Sequence, residues 1–105
     1  MNNDFVSVGR VNDFTPGAGK MVDVNGRHVA IFRLGNDLHA IDNLCLHHAG
    51  PLCEGPIDAH DEVTCPWHGW SYEIRTGRLV QDPALSVTRH DARVVDGEVQ
   101  VRLNG

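Results

Sequence analysis

Residues 63–72 read "VTCPWHGWSY", with Cys65 and His68 three positions apart around Pro66 and Trp67. The chain on either side is strand-like, "EVTC" (62–65) before and "WSYEI" (70–74) after, and "RTGR" (75–78) turns it away. A thiol and an imidazole held on so tight a turn suit a metal, and two ligands fill only half of a coordination shell. The missing half is "CLH", where Cys45 and His47 form a second short pair, with seventeen residues between His47 and Cys65. A rigid turn holds each pair, and a spacer of that length lets the two loop tips meet.

Outward from these loops the chain is short strands and turns. "FVSVGRVNDF" (5–14) is predicted to form a first strand and its exit, and "TPGAGK" (15–20) a loop. "MVDVNGRHVAIFRL" (21–34) contains Asn25-Gly26 between Val-rich runs, a hairpin signal because both residues tolerate positive φ. "GND" (35–37) turns into the alternating "LHAID" (38–42). "LSVTRHDARVV" and "EVQVRL" flank Asp96-Gly97, a second hairpin signal. No segment of ten or more residues has a 3.6-residue apolar period, so the expected fold is all-β, a small antiparallel β-sandwich of short strands. Two segments escape the alternation, "NLCLHHAGPLCEGPIDAH" (43–60) and "CPWHGW" (65–70), and both are dense in Cys and His. Long loops without regular structure are usually functional or disordered, and residues suited to coordination favour the first.

Bulk properties bound the function. A chain of 105 residues is expected to make one domain spanning 1–105, with a modest core of Val, Ile and Leu. A net charge of −5 without a basic stripe argues against nucleic acid and an anionic membrane surface, and suits a partner with a basic patch. The N-terminus "MNNDFVSVGR" lacks a secretory h-region, and no apolar run approaches the roughly 18 residues of a membrane span. A soluble, cytoplasmic protein is expected. Three cysteines are an odd count for a disulfide framework and read as thiols in a reducing compartment.

The combined pattern resembles the Rieske [2Fe-2S] proteins, which carry C-x-H, a spacer, then C-x2-H. The resemblance extends to "GPLCEG" (50–55), "HGWSY" (68–72), "TG" (76–77) and "DPA" (82–84), the last similar to the family's proline loop over the cluster. It implies a cluster-binding subdomain built from loops 43–60, 65–70 and 81–84. Cys45 and Cys65 would hold one iron, and His47 and His68 the other. Around them Leu46, Pro51, Trp67 and Pro83 would limit water. Neutral imidazoles in place of two thiolates raise the potential above that of an all-Cys cluster. A structural zinc site accepts the same four ligand types, but zinc needs no such flanking sequence.

Within the family, high-potential members carry a loop disulfide at positions that here are Gly50 and Trp67. They also place a serine hydroxyl where this chain has Trp70. Tyr72 matches a tyrosine whose hydroxyl donates to a cysteine sulfur. The expected potential is therefore at the low end of the Rieske range, on the order of −150 mV. Cys53 is left over as a packed or unpaired thiol. His48, His28, His39, His60 and His90 are not needed as ligands, and Asp58, Asp61 and Glu62 form a solvated or docking rim. The chain shows no second His/His/carboxylate set and no G-x-G-x-x-G after a strand, so the resemblance implies an electron carrier rather than an enzyme. Its partners would be a flavin-dependent NAD(P)H reductase and a terminal oxygenase of the aromatic ring-hydroxylating type. The alternatives are the small subunit of an assimilatory nitrite reductase or a redox-sensing domain.

Overall fold

The structure is a computed structural model that describes residues 5–46, 50–67 and 69–104. Six strands form an antiparallel framework: β1 (Val6–Arg10), β2 (Gly19–Val24), β3 (Arg27–Leu34), β4 (Asp37–Asp42), β7 (Arg89–Val95) and β8 (Glu98–Arg102). Their order is β1-β8-β7-β4-β3-β2. Two short strands, β5 (Glu62–Thr64) and β6 (Ser71–Glu73), form a separate two-stranded sheet in the span between β4 and β7, with single bridges from Val63 to Ile57 and from Tyr72 to Leu79. The all-β, antiparallel expectation therefore holds.

The turns follow from local chemistry. Asn25 (φ 53°) and Gly26 (φ 86°) are both left-handed, as are Asp96 (φ 52°) and Gly97 (φ 77°), the geometry of a two-residue turn matched to strand twist. In one respect the expectation was too coarse. The loop assigned to 15–20 ends early, because β2 begins at Gly19, opposite Phe32. A Cβ at Gly19 would lie 2.5 Å from the Phe32 ring, so the missing side chain is what lets this pair close.

The framework is two three-stranded halves, β2-β3-β4 and β1-β8-β7, joined by only two residue pairs, Ala40–His90 and Ile41–Arg89. The halves pack face to face. Val29 and Ile31 of β3 meet Val99 and Val101 of β8, with Phe14 and Val24, in one apolar core. The alternate residues of β3, Ala30 and Phe32, point the other way into a second core. That core contains Ile41, Leu52, Val63, Tyr72, Ile74, Leu79 and Val87, and it also takes in Cys45 and Cys65. Strand β3 is thus buried on both faces, which explains its uninterrupted "VAIF" (29–32). Its second face is the floor on which the Cys-bearing loops stand.

Candidate metal centre

The first loop leaves β4 at Asn43 and folds back as a narrow hairpin. Cys45 N–H donates to the Gly50 carbonyl at 2.9 Å, Leu44 bridges Pro51, and Leu52 N–H donates to the Asn43 carbonyl at 2.7 Å. A 3-10 turn at Leu52–Glu54 then drives Leu52 into the second core. The second loop sits on the β5–β6 hairpin. Cys65 N–H donates to the Trp70 carbonyl at 2.7 Å, and Gly69 N–H returns to the Cys65 carbonyl at 3.1 Å. Gly69 is left-handed (φ 77°), the conformation that lets so short a segment reverse.

The two loops meet at the bottom of this arrangement. Cys45 and Cys65 are both buried, and neither is in a disulfide. A Cβ added to Gly50 would stand 2.6 Å from Cys65 Sγ and 3.3 Å from the Trp67 ring. The return limb of the first loop therefore lies directly against the second. Gly50 and Trp67 are thereby brought together through backbone and indole.

Tyr72 closes the site from below. Its buried hydroxyl accepts the Leu46 N–H at 3.0 Å and lies 3.2 Å from Cys45 Sγ. With its oxygen occupied by an amide, the phenol has its one proton to give to sulfur, and a thiolate there can only accept. Burial, then the Cys45 sulfur, push the Tyr72 phenol far above its ordinary value of 10.0, so it remains a donor.

The other assigned residues fall in three places. Trp67 and Leu46 are exposed, at 59% and 46%, with Leu44 beside them at 48%. Pro51 is half-buried in the first hairpin, and Pro83 is exposed. Trp70 packs half-buried against the second core, where a serine would offer a hydroxyl. His47 and His68, assigned as ligands, and His48, assigned none, lie outside the described residues. Cys53 is half-buried, and burial, then Glu54, push its thiol up. His39 and Arg75 join β4 to the turn after β6 at 3.3 Å, and Arg75 also meets Asp61 at 3.2 Å.

Sequence reasoning missed Asn43; His90, set aside as a ligand, is buried and packed. His90 Nδ1 accepts the Asn104 N–H at 3.0 Å, which leaves Nε2 to donate to Asp42 at 2.8 Å. Asp42 also receives Arg27 through both carboxylate oxygens at 3.1 Å. No local signal marks the Asn43 side chain, whose partner lies ten residues onward.

The donor set fits a cluster that needs two thiolates on one side. Two buried cysteines converge from separate loops, a neutral donor is aimed at one sulfur, and only glycine fits between the limbs. Two such thiols without a disulfide, sealed beneath an apolar core, suit soft metal coordination.

Comparison with known proteins gives this geometry its family. The Rieske [2Fe-2S] domain model matches residues 4–97, and the chain belongs to that family. Its cofactor is accordingly a Rieske [2Fe-2S] cluster. Ferredoxin CarAc of Metapseudomonas resinovorans is 30% identical over 96% of this chain and 95% of its own length. The ferredoxin of carbazole 1,9a-dioxygenase from Nocardioides aromaticivorans IC177 superposes with a TM-score of 0.89 at 31% identity, covering 95% of this chain and 98% of that one. A chain from a complex of reduced oxygenase and oxidized ferredoxin in carbazole 1,9a-dioxygenase gives 0.85 at 29%, over 96% and 94%. A Mycobacterium tuberculosis chain assigned as an NADH-dependent nitrite reductase small subunit gives 0.89 at 25%, over 100% and 99%.

Among the described residues, no helix is long and apolar enough to cross a membrane.

Proposed function

We propose that this protein is a soluble, cytoplasmic one-electron carrier, the ferredoxin component of an oxygenase system, and not itself an enzyme. It would take electrons from a flavin-dependent NAD(P)H reductase and deliver them to a terminal oxygenase of the aromatic ring-hydroxylating type. Carrying this reading is the convergence of Cys45 and Cys65 under a surface that exposes Leu44, Leu46 and Trp67. It is supported by relatives named as ferredoxin components that match nearly the whole chain. The whole chain, 1–105, would be one domain with loops 43–60, 65–70 and 81–84 gathered at the cluster.

When bound, the cluster supplies the one-electron redox couple. The chain's residues do the rest. Cys45 and Cys65 would bind one iron, and His47 and His68 the other, as membership of the Rieske family implies. Tyr72 holds a proton against the Cys45 sulfur, which favours the more electron-rich state. Trp70 stands where high-potential members of the family place a serine hydroxyl, and the expected potential stays near the low end of the family range, on the order of −150 mV. Leu46, Pro51, Trp67 and Pro83 would keep water from the site.

Docking needs a surface that associates quickly and releases. Residues 43–85 carry six acidic side chains (Glu54, Asp58, Asp61, Glu62, Glu73 and Asp82) against two basic ones (Arg75 and Arg78). They account for −4 of the chain's net −5. An acidic subdomain with an exposed apolar tip suits a partner that offers a basic rim around an apolar seat.

The test is the EPR spectrum of the dithionite-reduced protein, followed by turnover with a reductase and an oxygenase. A rhombic signal with an average g below the free-electron value, and salt-sensitive electron delivery, are expected. Protein that binds zinc but no iron or acid-labile sulfide would refute the reading. The nitrite reductase relative supports a second role, which stable stoichiometric co-purification with a sirohaem subunit would establish instead.

A further inference from the structure

We propose that Asn43 is a positioning residue for the cluster, setting the spacing of the two cysteine loops through the base of the first hairpin. The proposal rests on reading Cys45 and Cys65 as cluster ligands.

Asn43 follows the last residue of β4 and is buried, and each of its three carbonyl and amide groups that bonds has a different task. Its N–H donates to the His28 carbonyl of β3 at 3.2 Å, which ties it to the framework. Its own carbonyl accepts Leu52 N–H at 2.7 Å, and its side-chain Oδ1 accepts Cys53 N–H at 2.9 Å. One residue therefore grips two successive amides of the limb that returns from the loop. The preceding residue, Asp42, is held by Arg27 and by His90, so the anchor itself stands on a fixed strand end.

The consequence runs along the hairpin. From the gripped amides of Leu52 and Cys53, the return limb passes back through Pro51 to Gly50. Gly50 is the residue whose absent Cβ would lie 2.6 Å from Cys65 Sγ. The limb is an intermediary: its inner side bonds to Cys45 N–H, and its outer side abuts the other cysteine. With the Oδ1 bond gone, the limb keeps one tie at its base instead of two, and Gly50, where even a Cβ would stand 2.6 Å from Cys65 Sγ, has little room to shift toward that sulfur. An amide side chain suits this role because it accepts a hydrogen bond in a buried place without bringing a charge. The Asn43 side chain also bonds the Cys53 thiol, so its hold on the limb at this position is not through the backbone alone.

The assignment is tested on the cluster-loaded protein. The variants are Asn43→Ala, Asn43→Asp, which keeps the accepting oxygen, and Val99→Ala, a cavity in the core far from the loops. Asn43→Ala should lose iron to a chelator at least tenfold faster than Val99→Ala compared at equal loss of thermal stability. Its reduced EPR spectrum should broaden as the cysteine spacing becomes heterogeneous. Asn43→Asp should recover part of the retention, the accepting oxygen being kept while its buried charge costs stability. Asn43→Ser, too short to reach the Cys53 amide, takes the place of Asn43→Ala if that variant does not fold. Iron loss no faster than in Val99→Ala, or equally fast from the Ala and Asp variants, would overturn the proposal. Wild-type protein that takes up no iron would overturn it together with the cluster reading, a failure distinct from one in which wild-type loads normally.

Discussion

The six-stranded framework and the loop-bearing subdomain are held together by different means. In the framework, β2 pairs with β3 over six residues and β3 with β4 over another six, and Val29, Ile31, Val99 and Val101 fill the space between the halves. Such ladders spread their stability over many small contributions, and one lost bond costs little. In the subdomain, β5 and β6 pair over three residues, and much of the rest depends on single contacts. Gly50 lies against Cys65, Tyr72 against Cys45, and Asn43 holds Cys53. The lesson is that the framework supplies a rigid floor, whereas the site above it is specified residue by residue.

Four substitutions would break or sharpen this contrast. Cys65→Ser should have the largest effect, with no visible chromophore and no iron bound, while circular dichroism still shows the framework's strands. If the strands were lost too, the two regions would not be separable. Gly50→Ala should come next. Its methyl group meets Cys65 Sγ, and overpacking of this kind costs about 1–3 kcal/mol. Iron content after reconstitution should fall at least tenfold, and full loading would show that the limbs can separate.

Tyr72→Phe should be milder. It removes the proton donor to Cys45 and leaves Leu46 N–H without its partner, worth about 1–2 kcal/mol. A donor to sulfur favours the reduced state, so the midpoint potential should fall, by about 60 mV for each 1.4 kcal/mol of lost preference. Voltammetry that shows an unchanged or higher potential would remove Tyr72 from the tuning of the site.

The smallest effect should belong to the framework. Burial disfavours ionisation of the Asp42 carboxyl, but hydrogen bonds from Arg27 and His90 outweigh it and hold the group below its ordinary 3.8. A carboxyl depressed in the folded state stabilises above its unfolded value and loses that contribution as pH falls through the folded one. Asp42→Asn should therefore be less stable than wild type at pH 7, by about 1 kcal/mol. The two proteins should converge as pH drops below about 4. Parallel denaturation midpoints across that range would show that the carboxylate contributes nothing.

Much of the framework was legible because its signals are local. Asn25-Gly26 and Asp96-Gly97 announce turns whose φ angles few other pairs adopt, and the runs around them alternate with the strand period. The motif residues were legible for a different reason, since cysteine at such spacing has few other uses. What stayed hidden was contact between distant parts. Nothing near Gly50 says that Cys65 will stand behind it, and nothing near Asn43 says that its side chain will bond ten residues onward. Even Gly19, assigned to a loop, proved to be the first residue of β2 because Phe32 needs the space opposite.

By itself, then, the amino-acid order determined the all-β class, the hairpin positions, and which cysteines and histidines were candidates for the metal. These depend on backbone preferences and ligand chemistry, both set within a few residues. Tertiary structure alone decided that β3 would be buried on both faces and that Cys45 and Cys65 would share one floor. It also decided that Tyr72, Asn43 and Gly50 would set the space between them. Such relations arise only when long-range packing brings the segments together, because close-packed matter fixes distances that no local sequence pattern encodes.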